Sequence, residues 1–392
     1  MAVDIFNLLE VSRISQTDPT FSDDASPLWI WSDPGLGKTS IIGSYCKSVN
    51  HYMLKVILGP TPAPDLSGFW IPDLKSGTVE HLITDKLIGH NIPEAEGYDG
   101  ICVFFDEVAN SGDEQQTAIQ SMVEDGELGG KRKADNVWYV FASNHPGSNC
   151  GANEVVLSLR QRAADVHVLN DDQANKREGA LKDSPYISVE KELFPTWLEL
   201  AIEDWDIDDR ITGYLHYTMR DSAGGAVDGI DSEGSAFHRF DPMAADPNQP
   251  SPRSWSKLSN ILKITDDEDT IRTYASGLIG AAQFNHWWGW CKLAQKVPLY
   301  EEVVAPGGDP MVPSITTPDQ CYAVMMNIAR GVRGRGEDIT KEEVEAVLQY
   351  LRRLPETYAA YGWVVCKKNN PAFTERTDAQ AAFIADYLDA IR

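Results

Sequence analysis

At 392 residues, with 42% apolar and 24% charged side chains and 11 tryptophans, the chain is long enough for two or three cored units, and wholesale disorder is excluded. A net charge of −25 sets the overall field against capture of a nucleic-acid backbone or an anionic membrane. The six cysteines (Cys46, Cys102, Cys150, Cys291, Cys321, Cys366) form no CxxC pair and have no histidine at zinc-ligand spacing, so they read as thiols in a reducing compartment.

The opening residues, MAVDIFNLLEVSR, lack a basic start followed by an unbroken apolar run, and no stretch approaches the roughly 20 apolar residues that span a bilayer. A cytoplasmic protein without membrane insertion is expected. Short apolar runs bounded by Gly, Pro or Asp then recur: Leu28 to Trp31, Met53 to Leu58, Ile101 to Phe105, Val137 to Ala142 and Val166 to Leu169. Runs apolar on both faces predict buried parallel strands. Helical patterns lie between them, at Thr39 to Val49 and at Glu114 to Asp125, where Ala118, Ile119, Met122 and Val123 share a face. The alternation predicts an α/β architecture, a parallel sheet between helices.

After about residue 170 the β-like runs stop and helical periodicity takes over. Pro195 to Ile207 and Asp208 to Met219 are the first predicted helices, with Pro195 suited to a first helical position. A Gly/Ser/Asp-rich stretch from Ser222 to Ser235, followed by Pro242, Pro247, Pro250 and Pro252, predicts a long loop over 222–252. Val344, Val347, Leu348 and Leu351 keep helical spacing behind a capping box at Thr340 and Glu343. Phe383, Ile384, Tyr387, Leu388 and Ile391 do the same near the C-terminus.

Four segments carry chemistry. Ser32-Asp33-Pro34-Gly35-Leu36-Gly37-Lys38-Thr39-Ser40 lies between the first predicted strand and a helix, the setting of a phosphate-binding loop. Glycines at 35 and 37 let the backbone N–H groups turn toward phosphate oxygens, Lys38 reaches the β and γ phosphates, and the Thr39 hydroxyl ligates Mg²⁺. Ser32 stands where the pattern has its first glycine. The run Ile101 to Phe105 ends in Asp106-Glu107, a Walker B form in which Asp106 holds Mg²⁺ through its water shell and Glu107 orients and deprotonates the attacking water. Val137 to Ser143 ends in Asn144, whose amide can bond the γ-phosphate or the lytic water. In Leu157-Ser158-Leu159-Arg160-Gln161-Arg162, either guanidinium can neutralise charge on a neighbouring subunit's γ-phosphate.

Through SDPGLGKT, VFFDEVAN, VFASNHP, LSLRQR and SPRSW, over about residues 25 to 290, the chain resembles the AAA+ superfamily. Three further details are similar to its MoxR-like and dynein-related branch: Asp65-Leu66-Ser67-Gly68, the Asp125-Gly126-Glu127-Leu128-Gly129-Gly130 hairpin leading into Lys131-Arg132-Lys133, and Ser251-Pro252-Arg253 opening a helix. The resemblance implies a P-loop AAA+ core over 1–170, an α-helical lid over 171–300 and a C-terminal helical extension over 301–392. It implies ATP and Mg²⁺ as cofactors, with Asp33 to Ser40 and Asp106 in the nucleotide site. Asn144 becomes sensor 1 and Arg253 sensor 2. Arg162 becomes the preferred finger, since Val166 and Val168 follow at the family's offsets, with Arg160 the second choice. A finger acting in trans implies a homo-oligomeric ring, a hexamer by kinship, that remodels a protein partner in a chaperone-like way. Kinship points to a von Willebrand factor A domain protein as that partner. A nucleic-acid-processing motor subunit, restriction-type and able to use GTP, is the alternative; the overall charge counts against it.

Other clusters read as structure. Trp287, Trp288 and Trp290 beside Phe284 are expected to pack in the lid, and Lys131 to Lys133 to form a solvated hairpin tip; Arg330, Arg333 and Arg335 carry the same expectation of a surface role. No HExxH or comparable histidine spacing is present, so no zinc is expected.

Overall fold

Each apolar run of the first 170 residues forms a strand. The structure is a computed structural model and describes residues 4–21, 26–73, 75, 77–82, 84–124, 126–145, 155–175, 186–221, 236–239, 241, 248–314, 316–374 and 378–387. Its strands are β1 (Leu28–Ser32), β2 (His51–Ile57), β3 (Phe69–Asp73), β4 (Thr78–Leu82), β5 (Gly100–Asp106), β6 (Glu127–Leu128), β7 (Lys131–Arg132), β8 (Val137–Asn144), β9 (Ala164–Leu169) and β10 (Tyr186–Ser188). The helices are α1 (Ile5–Thr17), α2 (Lys38–Ser48), α3 (Ala63–Ser67), α4 (Asp113–Glu124), α5 (Leu157–Arg160), α6 (Asp171–Asn175), α7 (Phe194–Glu203), α8 (Asp209–Asp221), α9 (Pro252–Leu262), α10 (Glu268–Ile279), α11 (Ala281–Ala294), α12 (Tyr300–Val303), α13 (Pro318–Arg335), α14 (Lys341–Leu351), α15 (Glu356–Asn369) and α16 (Asp378–Asp386). Two units form, Met1–Trp197 with Phe240–Ala244, and Leu198–Arg239 with Ala245–Arg392.

The first unit is an α/β layer, a parallel sheet between helices. Its six-stranded sheet runs β10-β9-β1-β8-β5-β2 with every described pairing parallel. Both faces are covered, which is why the strands read as continuous apolar runs. On one face α4 and α5 bring Ile119, Met122 and Leu159 against Trp29, Trp31, Val103, Phe105, Tyr139 and Phe141. On the other, α1 packs on α2, and Tyr45 of α2 meets Trp138 of β8 edge to face.

The ladder needs help where β1 starts late. Leu28 is level with Val140, so Tyr139 has no partner on β1. The buried Gln16 amide of α1 takes that place, donating to the Tyr139 carbonyl at 3.0 Å and accepting from its N–H at 2.8 Å. A backbone pair buried without such partners would cost about 1–3 kcal/mol per group.

Three expectations need correction. The β-like runs do not stop at 170, because Tyr186–Ser188 pairs with His167–Leu169 as β10. Three residues with a serine are too short to register as an apolar run; only pairing defines the strand. The helix expected to run to Ile207 ends at Glu203, and the chain then turns through Asp206 at φ 48°. Pro195 is not a first helical residue either: a π-helical turn, Val189–Leu193, precedes α7, whose first residue is Phe194.

The hairpin β6–β7 forms as expected around Gly129 (φ 55°) and Gly130 (φ 78°), a two-residue turn that needs positive φ at both positions. Its basic triplet is largely spoken for: Lys131 pairs with Asp85 at 3.0 Å, and Lys133 donates to the carbonyls of Gln16 and Val137. Asp125, the segment Ser222 to Ser235 expected as a loop, Pro242, Pro247, Leu388 and Ile391 lie outside the described residues.

The second unit is helical. Helix α13 packs on α8, α11, α12 and α15 around Tyr300, Met325, Ile328, Val347, Leu351 and Phe383. Phe284, Trp287 and Trp290 are buried, and Trp287 donates its indole N–H to the Arg210 carbonyl, so this cluster is packing. The box at Thr340 and Glu343 caps α14 as expected. Arg333 pairs with Asp206 and Asp209, and Arg335 with Glu343, so these two arginines are engaged within the unit.

Candidate functional site

The sheet order puts β8 between β1 and β5, so the strand ending in Asn144 separates the strand that feeds the glycine loop from the one that ends in Asp106. Ser32 is level with Asn144. The carboxyl ends of parallel strands in an open α/β sheet are where such folds bind ligands.

Ser32 leaves β1 fully buried, and the chain turns through Gly35 at φ 85° and Gly37 at φ 78°, a left-handed conformation that side-chain-bearing residues adopt only with strain. Gly37 is also the N-cap of α2, so the loop ends on the positive pole of an 11-residue helix. Leu36 is buried and anchors the loop; Pro34 and Gly35 are half-buried. The Asp33 carboxyl turns inward and accepts from Gln173 Nε2 at 2.7 Å, and burial holds its pKa above the usual carboxylate range. Only the backbone of Asp33 is therefore placed to meet a phosphate. Ser40, on the first turn of α2, is exposed.

Lys38 Nζ donates to Ser32 Oγ at 2.7 Å, to the Asp33 carbonyl at 3.4 Å and to Asn144 Oδ1 at 3.3 Å. The departure from glycine at 32 thus has a use, since its hydroxyl seats the lysine. Thr39 Oγ1 donates to Asp106 Oδ2 at 3.3 Å. Hydroxyl and carboxylate converge as two hard oxygen donors, the kind Mg²⁺ takes while drawing its other ligands from phosphate and water. Among the described residues no group of three or more His, Cys, Asp or Glu side chains is placed to hold a metal ion.

Glu107 follows in a left-handed conformation, φ 58° and ψ 35°, with its residue exposed. A non-glycine residue at positive φ costs about 1–3 kcal/mol and persists where surrounding contacts over-determine it. Two such contacts are visible. The Glu107 N–H donates to Asp106 Oδ1 at 3.0 Å, and the Ala109 N–H donates to Ser143 Oγ at 3.1 Å. The same Ser143 oxygen accepts from the Trp29 indole at 3.0 Å.

Behind the loop, His145 Nε2 donates to the Val168 carbonyl at 3.1 Å and its ring stacks on His167, centroids 5.5 Å apart. Burial pushes both imidazoles down, His167 to about 4.

No family model and no curated protein matches the chain. Among solved structures it is similar to that of a suspected ATPase from Cytophaga hutchinsonii, at 14% identity over 71% of this chain and 82% of that one, with a TM-score of 0.28. Folds that superpose this poorly lend each other no function, and the site rests on its own geometry.

The arginines differ in how they are held. Arg160 is exposed; its Nε pairs with Asp165 at 2.9 Å and its guanidinium lies over the Trp31 ring at 5.6 Å. Arg162 is half-buried, donates to the Ser158 carbonyl and pairs with Glu124. Arg253, exposed, is the second residue of α9, which opens with Pro252 and a Ser251–Ser254 capping box. It belongs to the second unit.

Sequence reasoning missed Lys55, Ser143 and Gln173. Lys55 of β2 pairs with Asp106 Oδ2 at 2.8 Å and donates to Thr39 Oγ1 at 3.3 Å. Nothing in the local sequence of a lysine between Leu54 and Val56 points to this; only the pairing of β2 with β5 brings it there.

Proposed function

We propose that this chain is an ATPase that uses Mg²⁺, with its first unit as the hydrolytic site. One observation carries the reading: at the carboxyl ends of β1, β8 and β5, Lys38 bonds Asn144 and its neighbour Thr39 bonds Asp106, with Glu107 next to Asp106. An ordinary glycine-rich turn has no reason to pair its lysine with a strand-end amide and the next hydroxyl with a strand-end carboxylate. Backbone N–H groups of the loop and the α2 terminus bind phosphate oxygens, and Lys38 neutralises their charge. Asn144 orients the γ-phosphate or the water. Glu107 takes the water's proton, its carboxylate projecting from the strained turn just past β5. Thr39 and Asp106 are the residues that would hold Mg²⁺, which when bound screens the phosphate charge that builds during transfer.

The finer reading is a MoxR-like ring, hexameric by kinship, in which Arg162 or Arg160 completes a neighbour's site and Arg253 senses the nucleotide. Its client is a protein, with a von Willebrand factor A domain the partner of choice. The charge of −25 and the engagement of Lys131, Lys133 and Arg333 in internal contacts favour a protein client over nucleic acid.

Steady-state hydrolysis and nucleotide binding test the site. Lys38→Ala should abolish binding, whereas Glu107→Gln should bind ATP normally and lose roughly 10²- to 10⁴-fold in turnover, the usual worth of a general base. Turnover indifferent to both substitutions would sink the proposal.

A further inference from the structure

Two lysines reach this site, and they divide it. Lys38 holds Ser32 and Asn144; Lys55 holds Asp106 and Thr39. The second pair of atoms is the one that the reading above gives to Mg²⁺, and the inference that follows rests on that reading. We infer that Lys55 is an internal cation that competes with Mg²⁺ for Thr39 and Asp106, and so sets how much Mg²⁺ the chain needs to retain nucleotide.

The register explains the reach. Lys55 lies opposite Phe104 on β5, and Ile57 lies opposite Asp106, so the lysine approaches the carboxylate on the diagonal, two residues along the same face. Its stem is steered by Phe104, with Nζ 5.9 Å from the ring centroid. At 2.8 Å from Oδ2 and 3.3 Å from Thr39 Oγ1, the ammonium bridges hydroxyl and carboxylate. A dication held by the same two oxygens, directly by Thr39 and through its water shell by Asp106, competes with an ammonium seated on them, because two positive charges would face each other at close range in a half-buried site. Binding of one therefore weakens binding of the other. The Asp106 side chain is only 15% exposed, so its charge is poorly served by water and favours a protein counter-ion.

The plainer explanation is that β2 is the edge strand of the sheet, and edge strands carry lysines to block pairing with other chains. That role asks only for a charge pointing to solvent. It does not require a lysine bonded to two side chains of the phosphate site, with two-thirds of its own side chain covered.

The test titrates Mg²⁺, from a chelated start, into protein with a fluorescent, non-hydrolysable ATP analogue, and reads the Mg²⁺ concentration at half-maximal binding. Lys55→Met and Lys55→Gln should lower that concentration by roughly three- to tenfold, as removal of a competing half-buried ion pair implies, while Lys55→Arg stays near wild type. Using two neutral variants, each checked for folding by circular dichroism, guards against one failing to fold. An unchanged or higher Mg²⁺ requirement in the folded neutral variants overturns the inference and leaves the phosphate site standing. If the wild type binds no nucleotide at any Mg²⁺ concentration, the phosphate-site reading itself fails, and this inference goes with it.

Discussion

Ser143 shows how one hydroxyl can hold two parts of the site at once. Its oxygen accepts from the Trp29 indole of β1 and from the Ala109 N–H just beyond Glu107, and both donors are buried. Ser143→Ala leaves them without an acceptor and should lower the stability of the first unit by about 1–3 kcal/mol, measured by denaturant unfolding. It should also slow hydrolysis while sparing nucleotide binding, because the turn that presents Glu107 loosens whereas Lys38 keeps its partners. Ser143→Thr, which retains the hydroxyl, should restore much of the activity; if Ser143→Ala turns over like wild type, the turn does not depend on this bond. The sequence placed Asp106, Glu107 and Asn144 at strand ends, since a long apolar run ending in polar residues is locally visible. Ser143 was hidden inside such a run, where a serine reads as a small core residue.

At the scale of elements, β8 and β9 carry a pH-sensitive contact. His167 of β9 stacks on His145, directly after β8, and on Trp31 of β1, at 6.3 Å between centroids. Burial, reinforced by the neighbouring imidazole, lowers the His167 pKa to about 4, against an unfolded value of about 6.5. The folded state thus prefers the neutral ring. Its stabilisation is fully present above about pH 6.5 and is lost as pH falls from there toward 4. The melting temperature of the wild type should therefore drop across that window more steeply than that of His167→Phe, which can stack but not titrate. Parallel curves for the two proteins would show that His167 does not control the transition. The Asp33 carboxyl, raised by burial, works in the opposite sense, contributing most at low pH and losing that contribution as pH rises through its folded value. Strand β10 teaches a related point: three residues acquire strand character only through pairing with His167 to Leu169, so no window of sequence announces it.

For the whole molecule, the decisive question is whether one chain suffices. Arg162 is tied to Glu124 and Ser158 within its own unit, while Arg160 is exposed beside Asp165. If the ring reading holds, turnover per chain should rise with protein concentration in step with assembly followed by mass photometry. Whichever arginine acts as the finger, its alanine variant should assemble and bind ATP yet lose roughly 10³-fold or more in turnover. Loss with Arg160→Ala alone would transfer the role to the more exposed residue. Turnover independent of concentration and of both arginines would leave a self-contained hydrolase. Among the described residues no helix is long and apolar enough to cross a membrane.

The sequence by itself determined what is local: the apolar runs that become parallel strands, the glycines that permit positive φ between β1 and α2, the capping box of α14, and the polar residues at strand ends. Each depends on residues within one or two turns of one another, so each is written in a window of chain. The tertiary structure alone decided what depends on register between distant strands. It set the order that puts Asn144 between Lys38 and Asp106, the Gln16 clamp that replaces a missing piece of β1, and the arrival of Lys55 at the carboxylate 51 positions along the chain. Such contacts are fixed by which strands become neighbours and at what offset, and that choice is made by the packing of both sheet faces together, not by any segment alone.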